Sequence, residues 1–306
     1  MTETKQLVVV TGANSGLGLD TAKHLLLQGY SVLLACRSVD KAKEAEANLH
    51  QQTGLKDTQI GTLDLGSQES IRAFAKECPT DIHGLVCNAG LQYVGDMRHT
   101  SDGFEETFGV NHLGHFLLTN LLLHHSPSLK RIAVVSSALH DSGLKSPMPI
   151  PRYTNAEDMA FPKKEDIRSD GQDGSERYST SKLCNIYFTY ELVEKLKAKG
   201  RDDVLVNAFN PGLIPGTGLG RNNRGFIKFM WYYLMPLMAV FIPGASTTDK
   251  SGKLLAELIS KVDTTGKYYD IEKLVDSSKE SYDEQRRVEL WEGSAKLVGL
   301  TDEESL

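Results

Sequence analysis

What most limits the folds open to this chain is its rhythm. Short apolar, β-rich runs alternate with segments of helical periodicity over most of its length. That alternation marks a parallel sheet whose crossover connections cover both faces with helices. Strands are predicted at Leu7–Thr11, Ser31–Ala35, Ile60–Asp64, Gly84–Asn88, Arg131–Ser136 and Val204–Phe209, with a weak last one at Gly266–Tyr269. Helices are predicted at Leu17–Gln28, Val39–Gln51, Gln68–Glu77, Phe104–His124, Tyr178–Lys199 and Tyr282–Leu297. The expected fold is α/β: a single-domain Rossmann-type doubly wound parallel sheet over residues 1–306, with helices on both faces and a substrate lid. At 306 residues the chain is long enough to bury one large core.

Two segments interrupt the rhythm. Residues 138–176 carry Pro147, Pro149, Pro151 and Pro162 and read as a long loop excursion after the fifth strand, of the kind that shapes sites. Phe226 to Ala245 is apolar and close to membrane-span length, but Lys228, Pro236 and Pro243 make it a poor spanning helix. It lies in the 213–245 lid region and suits a pocket for a bulky hydrophobic molecule, a peripheral membrane contact or a contact in a homo-oligomer. The N-terminus lacks a signal-peptide pattern, so a cytoplasmic location is expected, with membrane association left open through this stretch.

A formal charge of -6 and a pI near 5.9 argue against a general nucleic-acid binder, which needs a basic face. A small-molecule partner is expected instead. Cys36, Cys78, Cys87 and Cys184 show no metal or disulfide spacing, and His112, His115, His124 and His125 lack partners at ligand spacing. No metal is expected, and these histidines read as packing or surface residues.

The chemistry begins at Thr11–Gly18, TGANSGLG, which closes the first strand and opens the first helix. Gly12, Gly16 and Gly18 stand where a backbone must turn tightly, and with Asn14, Ser15 and Leu17 they form a loop whose N–H groups suit a pyrophosphate. After the second strand, Arg37 and Ser38 occupy the place where a carboxylate would bind the ribose of NAD. A guanidinium there attracts a 2′-phosphate, so NADP(H) is the expected cofactor, with Lys41 as a second cation. Asp64 and Leu65 after the third strand suit the adenine edge, and Asn88, Ala89 and Gly90 after the fourth form a small-residue wall.

In YSTSKLCN, Tyr178 and Lys182 lie four apart, on one helix face. An ammonium beside a phenol is expected to lower the phenol's pKa, suiting it to exchange a proton with a substrate oxygen. Ser137 is the candidate to hydrogen-bond that oxygen, with Ser136 as the alternative until the strand's facing is known. Asn111, in VNHLGHF, could hold a water or backbone group relaying protons to Lys182.

Together TGANSGLG, NAG, NHLGHF, SSALH, YSTSKLCN and NPG resemble the short-chain dehydrogenase/reductase family across essentially the whole chain. Within it, ACRS, GFEETFGVNHLGHFLLTNLLL, SKLCN and LWEGSAKLVGL look most like the group of retinol dehydrogenases and light-dependent protochlorophyllide oxidoreductases. The resemblance implies a hydride-transferring oxidoreductase with Tyr178 and Lys182 as catalytic pair, also touching the cofactor. It further implies Ser137 and Asn111 as supports, and Pro211, Gly212 and Thr217 around the nicotinamide. Asn210 and Leu213 depart from the photoenzyme's Tyr-Pro-Gly-Cys pattern and favour the thermal reaction on a carbonyl or alcohol. A regulatory NADP(H)-binding protein without turnover is the reading from a different class.

Overall fold

The structure, a computed structural model, describes residues 5–93, 97–146, 148–163, 173–215 and 244–306. Its centre is one eight-stranded sheet in the order β3-β2-β1-β4-β5-β6-β7-β8. The strands are β1 (Leu7–Thr11), β2 (Ser31–Cys36), β3 (Thr58–Thr62), β4 (Ile82–Cys87), β5 (Arg131–Val135), β6 (Leu205–Asn210), β7 (Lys267–Asp270) and β8 (Lys273–Val275). Every pairing is parallel except β7 with β8. The order reverses between β1 and β4, opening a crevice at the carboxyl ends of the strands where such sheets bind ligands.

The helices are α1 (Gly16–Leu27), α2 (Val39–Thr53), α3 (Gln68–Glu77), α4 (Glu106–Phe108), α5 (Gly114–His125), α6 (Ala156–Ala160), α7 (Asp173–Ala198), α8 (Thr248–Ser260) and α9 (Glu284–Leu297). The central strands read as unbroken apolar runs because both faces of the sheet are covered. Along β1, Leu7 and Val9 face a core built with α3, α5, α7 and α9, while Val8 and Val10 face one built with α1, α2 and α8. β4 and β5 continue the alternation: Leu85 and Val134 lie on the first face, Val86 and Ala133 on the second.

The doubly wound parallel sheet is as expected, and the differences lie at its ends. Helix α8 was not anticipated, although Thr247 caps it by accepting the Lys250 N–H. Strand β8 is short and exposed, too weak a pattern to stand out. Helix α7 begins by Asp173, so the end of the predicted 138–176 excursion is helical, and Tyr178 lies in its second turn rather than at its start. Gly174 and Ser175, weak helix formers, hid that turn in the sequence, yet both are buried. The excursion also contains the short helix α6, capped by Asn155. Between α4 and α5 the backbone takes a π turn over Gly109–Leu113, with Asn111 at its centre. The lid region is described only at its neck: Leu213 pairs with Ala245, the Leu213 N–H donates to Gly244 O, and the Ser246 N–H donates to Leu213 O. Thr217 and the stretch from Phe226 to Pro243 lie outside the described residues, and among those described no helix is long and apolar enough to cross a membrane.

Candidate active site

The β1–α1 loop reverses direction through Gly12 and Gly16, at φ +66° and +58°, a region where a side chain would be strained. Space is short as well. A Cβ on Gly18 would fall 2.5 Å from Asn88 Nδ2 and 2.6 Å from Gly12 O. Ser15 begins α1 without a side-chain cap, unlike Ser38, Ser67, Thr247 and Asp283 on α2, α3, α8 and α9. The first-turn N–H groups of α1 therefore face the crevice without a serine oxygen on them. Asn14, Ser15 and Leu17 complete the loop.

Arg37 and Lys41 are exposed at the end of β2, and among the described residues neither forms a salt bridge. Ser38 caps α2 by accepting the Lys41 N–H. The Asp64 carboxylate accepts the Gly66 N–H at 2.9 Å, shaping the turn after β3, and Leu65 packs into the core beside it.

After β4, the segment Asn88–Leu91 is clamped at both ends. Thr11 Oγ1 accepts the N–H groups of Asn88 and Ala89, each at 2.9 Å. The Asn111 carboxamide accepts the Leu91 N–H at 2.8 Å and donates to Leu91 O at 2.9 Å. Gly90 lies between, and a Cβ there would sit 3.3 Å from Asn111 Oδ1 and 3.7 Å from Lys182 Nζ. Sequence reasoning missed Thr11 and Leu91 as part of this wall. The threonine that opens the glycine motif was the available signal.

At the end of β5 the two serines part company. The Ser136 hydroxyl is buried and donates to the Lys182 carbonyl at 2.8 Å, tying strand to helix. Ser137 is half-buried and opens a 3-10 turn, where its Oγ accepts the Leu139 N–H at 3.3 Å and keeps its own proton to donate. Tyr178 is 6% exposed and Lys182 is 4% exposed. The ammonium donates to Val135 O at 3.1 Å and lies 5.5 Å from the Tyr178 ring centroid. Burial alone lowers the Lys182 ammonium to about 8 and pushes the Tyr178 phenol above its ordinary range. Desolvation sets the direction for Tyr178, upward, opposite to the lowering expected from the neighbouring ammonium.

At the end of β6, the Asn210 side chain is committed to the loop, donating to Asp270 Oδ1 at 2.7 Å and accepting the Gly212 N–H at 3.1 Å. Gly212 takes φ +78°, and a Cβ on it would meet Gly244 O at 2.7 Å and Ile271 Cδ1 at 2.9 Å. Pro211 O accepts from the Ser251 hydroxyl at 2.7 Å, fastening the loop to α8. The glycine loop, the wall, Ser137 and the Pro211–Gly212 loop thus follow carboxyl ends of adjacent strands, and Lys182 reaches one from α7 through Val135 O.

Comparison with known proteins agrees with that layout. A model of the short chain dehydrogenase family matches residues 6–148. Retinol dehydrogenase 13 of Mus musculus is 35% identical over 302 residues, covering 96% of this chain and 84% of its own length. The chain belongs to the short-chain dehydrogenase family. The chloroplastic protochlorophyllide reductase of Chlamydomonas reinhardtii is 32% identical over 323 residues, covering 98% of this chain and 79% of its own. Among solved structures, an uncharacterized protein from Mycobacterium paratuberculosis superposes with a TM-score of 0.70 at 30% identity, covering 97% of this chain and 94% of that one. Membership makes the chain an oxidoreductase and implies a nicotinamide cofactor. The crevice fits one, since the glycine turn leaves no room for side chains and α1 opens with uncapped N–H groups.

Proposed function

We propose that this chain exchanges hydride between NADP(H) and the carbonyl or alcohol carbon of a bulky hydrophobic substrate, with Tyr178 as proton donor and acceptor. One observation carries the reading: Lys182 and Tyr178 are buried together, and among the described residues no carboxylate pairs with the ammonium. An unpaired buried cation costs stability, and such a cost is typical of sites kept for chemistry.

The cofactor supplies the hydride. At neutral pH the raised phenol of Tyr178 is protonated, the form required of a donor to a carbonyl oxygen. As the oxygen takes that proton, negative charge moves to the phenolate, and the Lys182 ammonium stabilises it in a site with little water. Ser137 holds the substrate oxygen through the proton it keeps. Asn111 secures the wall above Lys182 through Leu91. Arg37, Ser38 and Lys41 select the 2′-phosphate, and the loop residues Gly12 to Gly18, Asp64, Leu65, Asn88, Ala89, Gly90, Pro211 and Gly212 line the dinucleotide. The thermal reaction is favoured because Asn210 is spent on shaping its loop.

The test follows NADPH absorbance with a panel of hydrophobic aldehydes and ketones, and NADP with retinol and related alcohols, in darkness and under illumination. Turnover in darkness, lost by at least about a hundredfold in Tyr178→Phe, is the expected result. Cofactor binding without any turnover would favour a regulatory protein. Reaction with protochlorophyllide on illumination alone would move the chain to the light-driven branch.

A further inference from the structure

His115 sits in the first turn of α5, 2% exposed, against the two residues that hold the Asn88–Leu91 wall. Its Nδ1 lies 3.1 Å from Asn111 O and its Nε2 lies 2.9 Å from Thr11 Oγ1. Counting protons fixes the arrangement. A backbone carbonyl only accepts, so Nδ1 carries the hydrogen; the neutral ring then presents a bare Nε2, which must accept from the Thr11 hydroxyl. With its proton directed there, Thr11 Oγ1 has both lone pairs left for the N–H groups of Asn88 and Ala89. The alternative, Thr11 donating to Val86 O at 3.2 Å, would leave the buried Nε2 unsatisfied. A cationic ring would aim a second N–H at an oxygen that already accepts two, in a place where burial and the charge of Lys182 both oppose it.

Thr11 and Asn111 are therefore the two clamps on Asn88–Leu91, and His115 joins one clamp to the other. We propose that His115 is a positioning residue for the reaction, a neutral imidazole strut that fixes Thr11 and Asn111 and through them the Asn88–Leu91 wall of the crevice. The proposal rests on the function proposed above. Its own content is which ring nitrogen serves which clamp.

Two substitutions separate the two nitrogens. His115→Gln places an amide oxygen near the Nε2 position, where it can accept from Thr11, and gives up Asn111. His115→Asn places an amide N–H near the Nδ1 position, where it can donate to Asn111, and gives up Thr11. In the full chain, dissociation constants for NADPH and kcat are measured for both, with His115→Ala and Thr11→Val. We expect His115→Gln to keep NADPH affinity within about threefold of the parent, while His115→Asn and His115→Ala weaken it about tenfold or more, one power of ten being roughly 1.4 kcal/mol. Thr11→Val deletes the clamp itself and should weaken NADPH binding at least as much as His115→Ala; adding His115→Ala to it should weaken binding little further, because the imidazole acts on that clamp only through the Thr11 hydroxyl.

A role confined to packing would make the Gln and Asn variants alike in affinity whatever their melting temperatures, and that result overturns the proposal. Should the variants not fold, nitrogen chemical shifts of the parent's imidazole report its tautomer. A protonated Nδ1 and bare Nε2 at neutral pH support the strut; the opposite tautomer or a cation overturns it. Failure of the parent to bind NADPH would instead defeat the functional reading.

Discussion

At the scale of single residues, the buried ammonium of Lys182 ties stability to pH. Its folded value of about 8 lies below the ordinary 10.5, so between these two values the unfolded chain holds more protons than the folded one. Stability from this group therefore rises as pH climbs from about 8 towards 10, and below 8 the full penalty persists. Above 10 the raised Tyr178 phenol works the other way, because the unfolded chain then loses a proton that the folded chain keeps. Lys182→Met should stabilise the protein at pH 7 by up to about 3 kcal/mol and abolish the rise from 8 to 10 in urea unfolding, while activity falls by at least about a hundredfold. At the other end of the crevice, Arg37→Asp removes the cation and installs a carboxylate facing the ribose. The ratio of NADPH to NADH affinity should fall by about ten- to a hundredfold, the range of a charge-assisted bond, with melting temperature unchanged because Arg37 is exposed.

At the scale of elements, the orientation of α7 depends on a contact one residue before the phenol. Arg177 Nε lies 3.1 Å from Glu105 Oε1, and Glu105 caps α4 by accepting the Phe108 N–H at 2.7 Å. The Glu105 N–H in turn donates to Ala160 O at the end of α6. One residue thus joins three helices, its buried carboxylate meeting α4 and α7 and its backbone meeting α6. Glu105→Ala would leave the Arg177 guanidinium buried without its partner and α4 without its cap. A loss of about 3–5 kcal/mol is expected in denaturant unfolding, and kcat should fall with it because Tyr178 follows directly. Position 105 falls in the helix predicted over Phe104–His124 and in the run GFEETFGVNHLGHF, with no role read for it from the sequence. Its depth inside the fold depends on α6 and α7, which are far away in sequence.

At the scale of the whole molecule, the two sheet faces differ in use. The face built with α5 and α7 carries the proposed catalytic side chains, whereas α1 and α8 close the other face by direct contact. Gly252 permits that contact, since a Cβ there would fall 2.8 Å from the Asp20 carbonyl carbon and 2.8 Å from Thr21 N. Those are backbone atoms that cannot rotate aside. Gly252→Ala should destabilise the protein by about 1–3 kcal/mol in thermal or urea unfolding and leave the kcat of the remaining folded enzyme near the parent's. The neck at Leu213 and Ala245 crosses between these regions, because the loop after β6 is pinned to α8 through Ser251 and Pro211.

The sequence by itself determined the parallel α/β architecture and most strand positions, because fully buried strands must be apolar throughout and their crossovers must be helical. It also placed the glycine turn, whose positive φ values at Gly12 and Gly16 need residues without a Cβ. Only the tertiary structure told Ser136 from Ser137, since the Ser136 hydroxyl is committed to the Lys182 carbonyl across 46 residues. It alone showed that burial raises the Tyr178 phenol, because desolvation depends on everything packed around a group and not on its neighbour four residues away. His115 makes the same point: among His112, His124 and His125 it had nothing to distinguish it, until folding brought Thr11 and Asn111 to its two nitrogens.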